Sequence, residues 1–167
     1  MKRELRIYNV LFPIWLLLLF PPLLLFSLAG NFLVDSAVIL LTLRVLRGRW
    51  AGEVWKRSIL RAWLLGFLAD FAGGALMLAP SFLYGLDWEW LDRVAYGVYF
   101  NPFDSVAAFL WTALAAAVSA LCIYGFNRRF VFRRADVSDG ERRRLALVMA
   151  VVTAPWLFFL PTAWFYY

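Results

Sequence analysis

The sequence predicts an all-α integral membrane protein, a single bundle of five transmembrane helices over residues 1–167. Three observations lead to this fold class. The chain is 64% hydrophobic and only 17% charged, which is too apolar for a soluble domain that must present a wetted surface. Its apolar runs reach the length of about 20 residues that a helix needs to cross a bilayer. The alternating pattern of barrel strands is absent from the sequence.

The apolar runs define the crossings in chain order. The first run, at about 10–46, is too long for one crossing at about 1.5 Å per residue, so we expect two crossings joined by a tight turn near Gly30 and Asn31. Pro21 and Pro22 fall inside the first of these and predict a kink there. The expected crossings cover about 10–28, 31–47, 58–83, 102–126 and 145–165.

Basic residues fall on one side of this five-crossing arrangement. They precede the first crossing and fill the segments between the second and third and between the fourth and fifth, and only Arg93 lies on the other side. Because basic loops stay in the cytoplasm, we expect a multi-pass plasma-membrane protein with a cytoplasmic N-terminus and its C-terminus outside. The net charge of +6 then indicates attraction to anionic lipid headgroups and not to nucleic acid.

The residue types that are missing exclude several classes of enzyme. The chain has one cysteine, Cys122, and no histidine, so the usual zinc, haem and Cys/His catalytic sites lack their ligands. An intramembrane aspartyl protease is disfavoured, because "GFLAD" at 66–70 does not contain the Gly-x-Gly-Asp of such enzymes. We therefore expect no enzymatic activity, no cofactor and no metal site.

The segment between the third and fourth crossings, 84–101, is acidic and aromatic. Trp88, Leu91, Ala95 and Val98 recur at helical spacing, which predicts a short helix in the outer interface with Asp87 as a possible N-cap. An aromatic belt is the preferred interpretation, and a lid over a substrate is the alternative.

The motif "NPFD" at 101–104 predicts the start of the fourth helix. Asn101 is suited to cap it, Pro102 to its first position, and Asp104 to the positive end of the helix dipole. This capping role is preferred over an outer-gate or ion-binding role for Asp104. Small residues then recur along the helix at Ala108, Thr112 and Ser119 and predict a seam for close helix packing.

Two aspartates lie deep within the predicted crossings. Asp35 comes nine residues before Arg44 and Asp70 nine residues after Arg61, so both are expected about 13 Å from the inner interface on adjacent antiparallel helices. No Lys or Arg lies at that depth in any predicted helix. The carboxylates are therefore expected to meet neutral hydrogen-bonding groups, water, a bound cation or a shared proton.

Neighbouring residues extend this polar face. Asn31 and Thr42 share a helical face with Asp35, and Asp70 shares one with Gly66, where a missing side chain allows another backbone to approach. Two interpretations stay open. The aspartates either hold the bundle together through hydrogen bonds between helices, or they line a path for a cation, a proton or a polar substrate.

The sequence "IYGFNRRFVFRR" at 123–134 forms the basic end of the fourth helix. Its arginines either anchor the helix on the cytoplasmic side or bind lipid phosphates, while Phe126, Phe130 and Phe132 are expected to lie among the headgroups. The residues assigned to this role are Asn127, Arg128, Arg129, Arg133 and Arg134.

Two short pieces resemble a known family. "NRRFVFRR" and "LVDSAVILLTLRVL" are similar to motifs of GtrA-like proteins, small polytopic membrane proteins associated with moving polyprenyl-phosphate-linked sugars across the bilayer. The resemblance implies functional roles for Asn127, Arg128, Arg129 and Asp35. The order departs from the family pattern, because an additional crossing separates the two pieces.

These observations favour a transport or translocation device for a small polar, ionic or lipid-phosphate substrate with an intramembrane carboxylate site. The alternative is a non-catalytic scaffold subunit of a membrane complex. Because five short helices enclose little volume, we expect a homo-oligomer or a partner membrane subunit, together with bound membrane lipids.

Overall fold

The computed structural model of the chain describes residues 21–82 and 88–165, and within them it is helical with no strand. The α-helices are α1 (Pro21–Arg47), α2 (Gly52–Phe82), α3 (Glu89–Phe100), α4 (Val106–Phe126) and α5 (Asp139–Val152). The all-α prediction is confirmed. Three segments are long and apolar enough to cross a membrane, namely Leu25–Arg47, Gly52–Phe82 and Val106–Arg134.

The tight turn expected at Gly30 and Asn31 is wrong, because both residues lie inside α1. Contacts with α2 on both sides of this point explain the continuous helix. The indole Nε1 of Trp63 donates a hydrogen bond to the Leu28 carbonyl at 2.9 Å, and the Trp63 ring packs edge-on against Phe32. These contacts outweigh the cost of about 1 kcal/mol that a glycine brings to a helix interior.

Pro21 and Pro22 are the first two residues that the structure describes, and both belong to α1. Because the residues before them lie outside the described part of the chain, the kink expected at these prolines stays a prediction. Residues 21–28 of the first expected crossing belong to the same helix as residues 31–47. Residues 10–20 of it lie outside the described part of the chain.

Helices α1 and α2 form an antiparallel hairpin through a short connection at 48–51. Gly48 has φ +67°, the left-handed conformation that commonly ends a helix and that favours glycine. Arginines lie near this connection, and we call this the basic end of the bundle; it holds Arg47 and Arg134. The opposite end, with Trp88 and Phe103, is the aromatic end.

Pro80 lies inside α2, and its effect on the backbone is compensated from α4. A proline at position 80 cannot donate to the carbonyl of Leu76, four residues earlier. The indole Nε1 of Trp111 donates to that carbonyl at 2.9 Å instead. The α2–α4 interface therefore supplies a bond that α2 cannot make for itself.

A short helix is present between α2 and α4, as the spacing of apolar residues predicts. In α3 the side chains of Leu91, Ala95 and Val98 are buried, and Val94 joins them. Trp88 occupies the N-cap position and makes no side-chain cap, while Asp87 lies outside the described residues. The helix thus presents one apolar face to the bundle.

The start of α4 differs from the expected capping arrangement. Asn101 caps a separate 3₁₀ turn, Pro102–Asp104, by accepting a hydrogen bond from the Phe103 N–H at 3.1 Å. Its amide donates to the Asp104 carboxylate at 2.6 Å. The N-cap of α4 is Ser105, whose hydroxyl accepts from the Ala108 N–H at 3.1 Å, because the chain is extended at Ser105 between the two elements.

Helices α2 and α4 approach closely along the predicted small-residue seam. Ala108, Thr112 and Ser119 are all fully buried. A methyl group added at Gly73 of α2 would contact the Ser119 hydroxyl and lie 2.8 Å from the Ala115 carbonyl oxygen. Only a glycine at this point allows the two backbones to lie so close.

The expected last crossing, 145–165, is not a continuous helix. Helix α5 ends at Val152 and two 3₁₀ turns follow, Trp156–Phe159 and Thr162–Phe165. Pro155 and Pro161 interrupt the helical hydrogen bonding because they lack a backbone N–H. The segment still reaches the aromatic end, where the Phe159 ring packs against Phe103 and Phe109.

Candidate functional site

Asp35 lies on α1 in the interior of the helical hairpin and is only 5% exposed. Its carboxylate faces α2 at Gly66, where an added methyl group would lie 3.8 Å from the Asp35 Oδ2 atom. The absence of a side chain at Gly66 therefore leaves space beside the carboxylate. Gly66 was predicted to let another helix approach, and in the structure it faces Asp35 of α1.

Trp63 fixes the position of this part of the hairpin. Besides its bond to the Leu28 carbonyl, its ring contacts Phe32 and Phe67 edge-on, with centroid distances of 6.0 and 5.6 Å. Phe32 precedes Asp35 by about one turn, and Trp63 precedes Gly66 by about one turn. The aromatic contacts thus lie about one turn from Asp35 on α1 and from Gly66 on α2.

Asp70 lies on α2, one helical turn beyond Gly66, or about 6 Å along the axis. Its Oδ1 atom is enclosed by protein and accepts no hydrogen bond from the residues that the structure describes. Asp35 faces Gly66, and Asp70 shares a helical face with Gly66, so both aspartates lie at the contact between α1 and α2. The structure therefore brings the two predicted aspartates to one region of the α1–α2 interface.

Neither aspartate has a basic partner in the described ranges. The ion pairs of residues 21–82 and 88–165 all lie elsewhere, and no hydrogen bond joins Asp35 to Asp70. Two ionised carboxylates held this way in an apolar interior would cost several kcal/mol or more. Such a pair suits a shared proton or a small cation. No group of three or more metal-ligating side chains occurs among the same residues.

The other polar residues of α1 are less closely tied to the pair. Asn31 and Thr42 are half-buried, one turn before and two turns after Asp35. In the part of the chain that the structure describes, neither donates a hydrogen bond to the aspartates. Ser36 is a buried neighbour that the sequence pattern did not indicate, and its hydroxyl has no hydrogen-bond partner among the described residues. Its position directly after Asp35 in the sequence was the signal that could have identified it.

The basic segment after α4 divides into buried and exposed residues. Asn127 is 1% exposed and begins a π-helical turn, Asn127–Val131, with its Nδ2 atom donating to the Ile123 carbonyl at 2.9 Å. Arg128 donates to the Tyr124 hydroxyl at 3.3 Å. The expectation that Phe132 lies among headgroups is wrong, because it is fully buried and anchors the segment in the core.

The remaining arginines of this segment line a pocket of about 650 Å³. Arg129, Phe130, Arg133 and Arg134 come from the segment after α4, and Arg61 comes from α2. In the sequence, Arg61 indicates only the inner membrane interface, and its place beside the other three arginines is not predicted. The π turn and the following 3₁₀ turn place the segment after α4 beside Arg61 of α2. The spacing of the arginines in the sequence does not indicate this contact.

A second electrostatic cluster joins α1 to α5 at the basic end. The Arg47 guanidinium donates to both carboxylate oxygens of Glu141, at 2.6 and 2.9 Å, and to the Asp136 carbonyl at 2.7 Å. Glu141 also accepts from the Ser138 N–H in a capping box that begins α5. The hydrogen bond from Arg47 and those at Ser138 lower the pKa of Glu141 to about 2.

No protein-family model, no curated protein and no solved structure matches this chain. The resemblance of "NRRFVFRR" and of the Asp35 segment to GtrA-like proteins therefore stays a prediction.

Proposed function

We propose that the protein moves a proton or a small cation across the membrane by way of Asp35 and Asp70. The observation that supports this most directly is the position of two carboxylates at the contact between adjacent apolar helices, without a basic partner in the described ranges. Ionisable groups at membrane depth are costly, and they are typical of ion and proton pathways. At Gly66 an added methyl group would reach only ordinary contact with Asp35, so the helices are not tightly packed beside this carboxylate.

The alternative is a scaffold subunit in which the aspartates hold helices together. The hydrogen bonds that join helices here come from other side chains: Trp63 donates to the Leu28 carbonyl, Trp111 to Leu76, and Ser119 to Ala69. Each of these donors reaches a backbone carbonyl of another helix. Because the bundle is cross-linked without its aspartates, the structure favours the transport proposal over this alternative.

We also propose that the basic end faces the cytoplasm and the aromatic end faces outward in the plasma membrane. The arginines of the α1–α2 connection and of the segment after α4 share one end of the bundle, as the distribution of basic residues in multi-pass proteins requires. Pro21 then lies on the outer side and α1 runs inward. The segment 139–165 returns from the basic end to the aromatic end.

Assembly with a second copy or with a partner membrane subunit is part of this proposal. Leu33, Val34, Leu41 and Val45 of α1 are exposed, so this helix presents a wide apolar surface to lipid or to another chain. A small bundle offers little enclosed volume for a pathway of its own.

The transport proposal is tested by ion flux in liposomes that contain the purified protein. Asp35→Asn and Asp70→Asn should each abolish flux driven by a pH, sodium or potassium gradient, because an amide cannot exchange a proton or neutralise a cation. Asp92→Asn, at an exposed position of α3, is the matched control and should retain flux. Equal flux in all three variants, or loss of the Asp35 and Asp70 variants from the membrane, would contradict the proposal.

A further inference from the structure

A pocket at the basic end of the bundle has no role in the proposed ion path. Its volume is about 650 Å³, and it is lined by Arg61, Arg129, Phe130, Arg133 and Arg134. One wall belongs to α2 and the other to the segment after α4. The pocket therefore depends on the tertiary fold and is more than a run of basic residues in sequence.

The charge of this pocket is uncompensated within the described ranges. No carboxylate lines it, and none of its four arginines takes part in an ion pair of residues 21–82 or 88–165. By contrast, Arg47 and Arg142 have acidic partners. Like charges gathered at one place raise the local positive potential and attract an anion.

A second pocket at the same end provides a comparison. It measures about 360 Å³ and contains Arg47, Arg49 and Arg57, but Glu53 and Asp136 line it as well. Carboxylates repel an anionic ligand and neutralise the nearby guanidinium groups. The larger pocket is therefore the better anion site of the two.

The backbone around the larger pocket is held in place by buried side chains. Asn127, Val131 and Phe132 are each at most 1% exposed. Arg129 and Arg133 are one helical turn apart and therefore share a face of the segment. This face points away from the core, because the buried residues occupy the side that packs against the core. The arginines thus extend from an anchored π turn and 3₁₀ turn, which reduces the conformational entropy lost when a ligand binds.

We propose that this pocket binds a phosphate monoester, presented by an anionic lipid or as free phosphate. Guanidinium groups donate paired hydrogen bonds to phosphate oxygens, and several of them can surround one dianion. Phe130 is 51% exposed at the same pocket and provides an apolar contact for the glycerol and upper acyl chain of a lipid. The site is separate from the aspartates and goes beyond the proposed ion transport.

The proposal is tested by binding of short-chain phosphatidic acid to the purified full-length protein in detergent, with phosphatidylcholine as the reference lipid. Arg61→Gln and Arg133→Gln should each weaken phosphatidic acid binding roughly tenfold, the loss of one charge-assisted hydrogen bond of about 1.5 kcal/mol. Arg128→Gln is the matched control. The sequence groups Arg128 with the lipid-phosphate residues, but in the structure it donates to Tyr124 and does not line the pocket, and its substitution removes the same charge from the same segment.

Inorganic phosphate added as a competitor distinguishes the two sources. Displacement of phosphatidic acid by phosphate assigns the pocket to free phosphate as well as lipid, and failure to displace it assigns the pocket to lipid alone. The proposal is overturned if Arg128→Gln weakens binding as much as Arg61→Gln and Arg133→Gln do. Equal binding of phosphatidylcholine and phosphatidic acid would also overturn it.

Discussion

The basic end of the bundle and its interior hold carboxylates in opposite ways. At the basic end, Glu141 accepts two hydrogen bonds from Arg47 and one from the Ser138 N–H. In the interior, Asp35 and Asp70 have no such donors among the described residues. Glu141 is therefore held by matched donors and the interior aspartates are not, and this contrast is the basis of the proposed ion path.

The two glycines of α2 that face other helices extend the same comparison. Gly73 lies against α4 with no room for a methyl group, whereas Gly66 has space beside Asp35. The α2–α4 contact is therefore a tight structural interface, and the α1–α2 contact at Asp35 is more open. Substitutions at these glycines should separate the two kinds of contact.

The largest loss of stability is expected for Gly73→Ala. Its methyl group would contact the Ser119 hydroxyl, the Ala115 carbonyl at 2.8 Å and Phe158 at 3.1 Å, so the two helices must separate. Overpacking of this kind costs about 1–3 kcal/mol or more, and thermal unfolding in detergent measures it. Gly74→Ala is the matched control, with nothing within 4 Å of the added methyl group, and should stabilise the helix slightly.

Gly66→Ala sharpens this test. The added methyl group would make only ordinary contact with the Asp35 carboxylate, so the melting temperature should change little. A loss of stability as large as that of Gly73→Ala would show that the α1–α2 contact is as tight as the α2–α4 contact, and the comparison would fail.

A smaller loss, of about 1 kcal/mol, is expected for Glu141→Gln, because the paired hydrogen bonds to Arg47 lose their charge. Since folding lowers the pKa of Glu141 to about 2 from an ordinary 4.5, the carboxylate contributes fully above pH 4.5. Its contribution decreases as the pH falls from 4.5 to 2. The difference in melting temperature between wild type and Glu141→Gln should therefore shrink over that range.

Glu53→Gln is the control for this prediction. Glu53 pairs with Lys56 at 3.2 Å, but both side chains are largely exposed, so the pair should contribute little at any pH. Equal effects of the two substitutions on the melting temperature would mean that the Arg47–Glu141 contact stabilises the protein no more than an exposed surface pair does.

The sequence predicts the all-α fold class because hydropathy and helical periodicity are local properties. Helix α1 shows where local reasoning fails, since Gly30 suggests a turn but Trp63 of another helix holds the chain straight. The arginine pocket shows the same limit of local reasoning. Arg61 lines it together with residues from a segment nearly seventy positions later in the sequence. Pro155 and Pro161 indicate that the helix ends after Val152. The apolar composition of 145–165 instead favoured a continuous crossing.

The most direct test of the account is the melting temperature of Asp35→Asn in detergent, measured beside wild type and Glu141→Gln. An aspartate without a structural partner should leave the melting temperature unchanged or raise it, because the substitution removes a buried ionisable group at nearly constant volume. A decrease larger than that of Glu141→Gln would contradict the account. It would mean that Asp35 holds the helices together, and the scaffold alternative would replace the transport proposal.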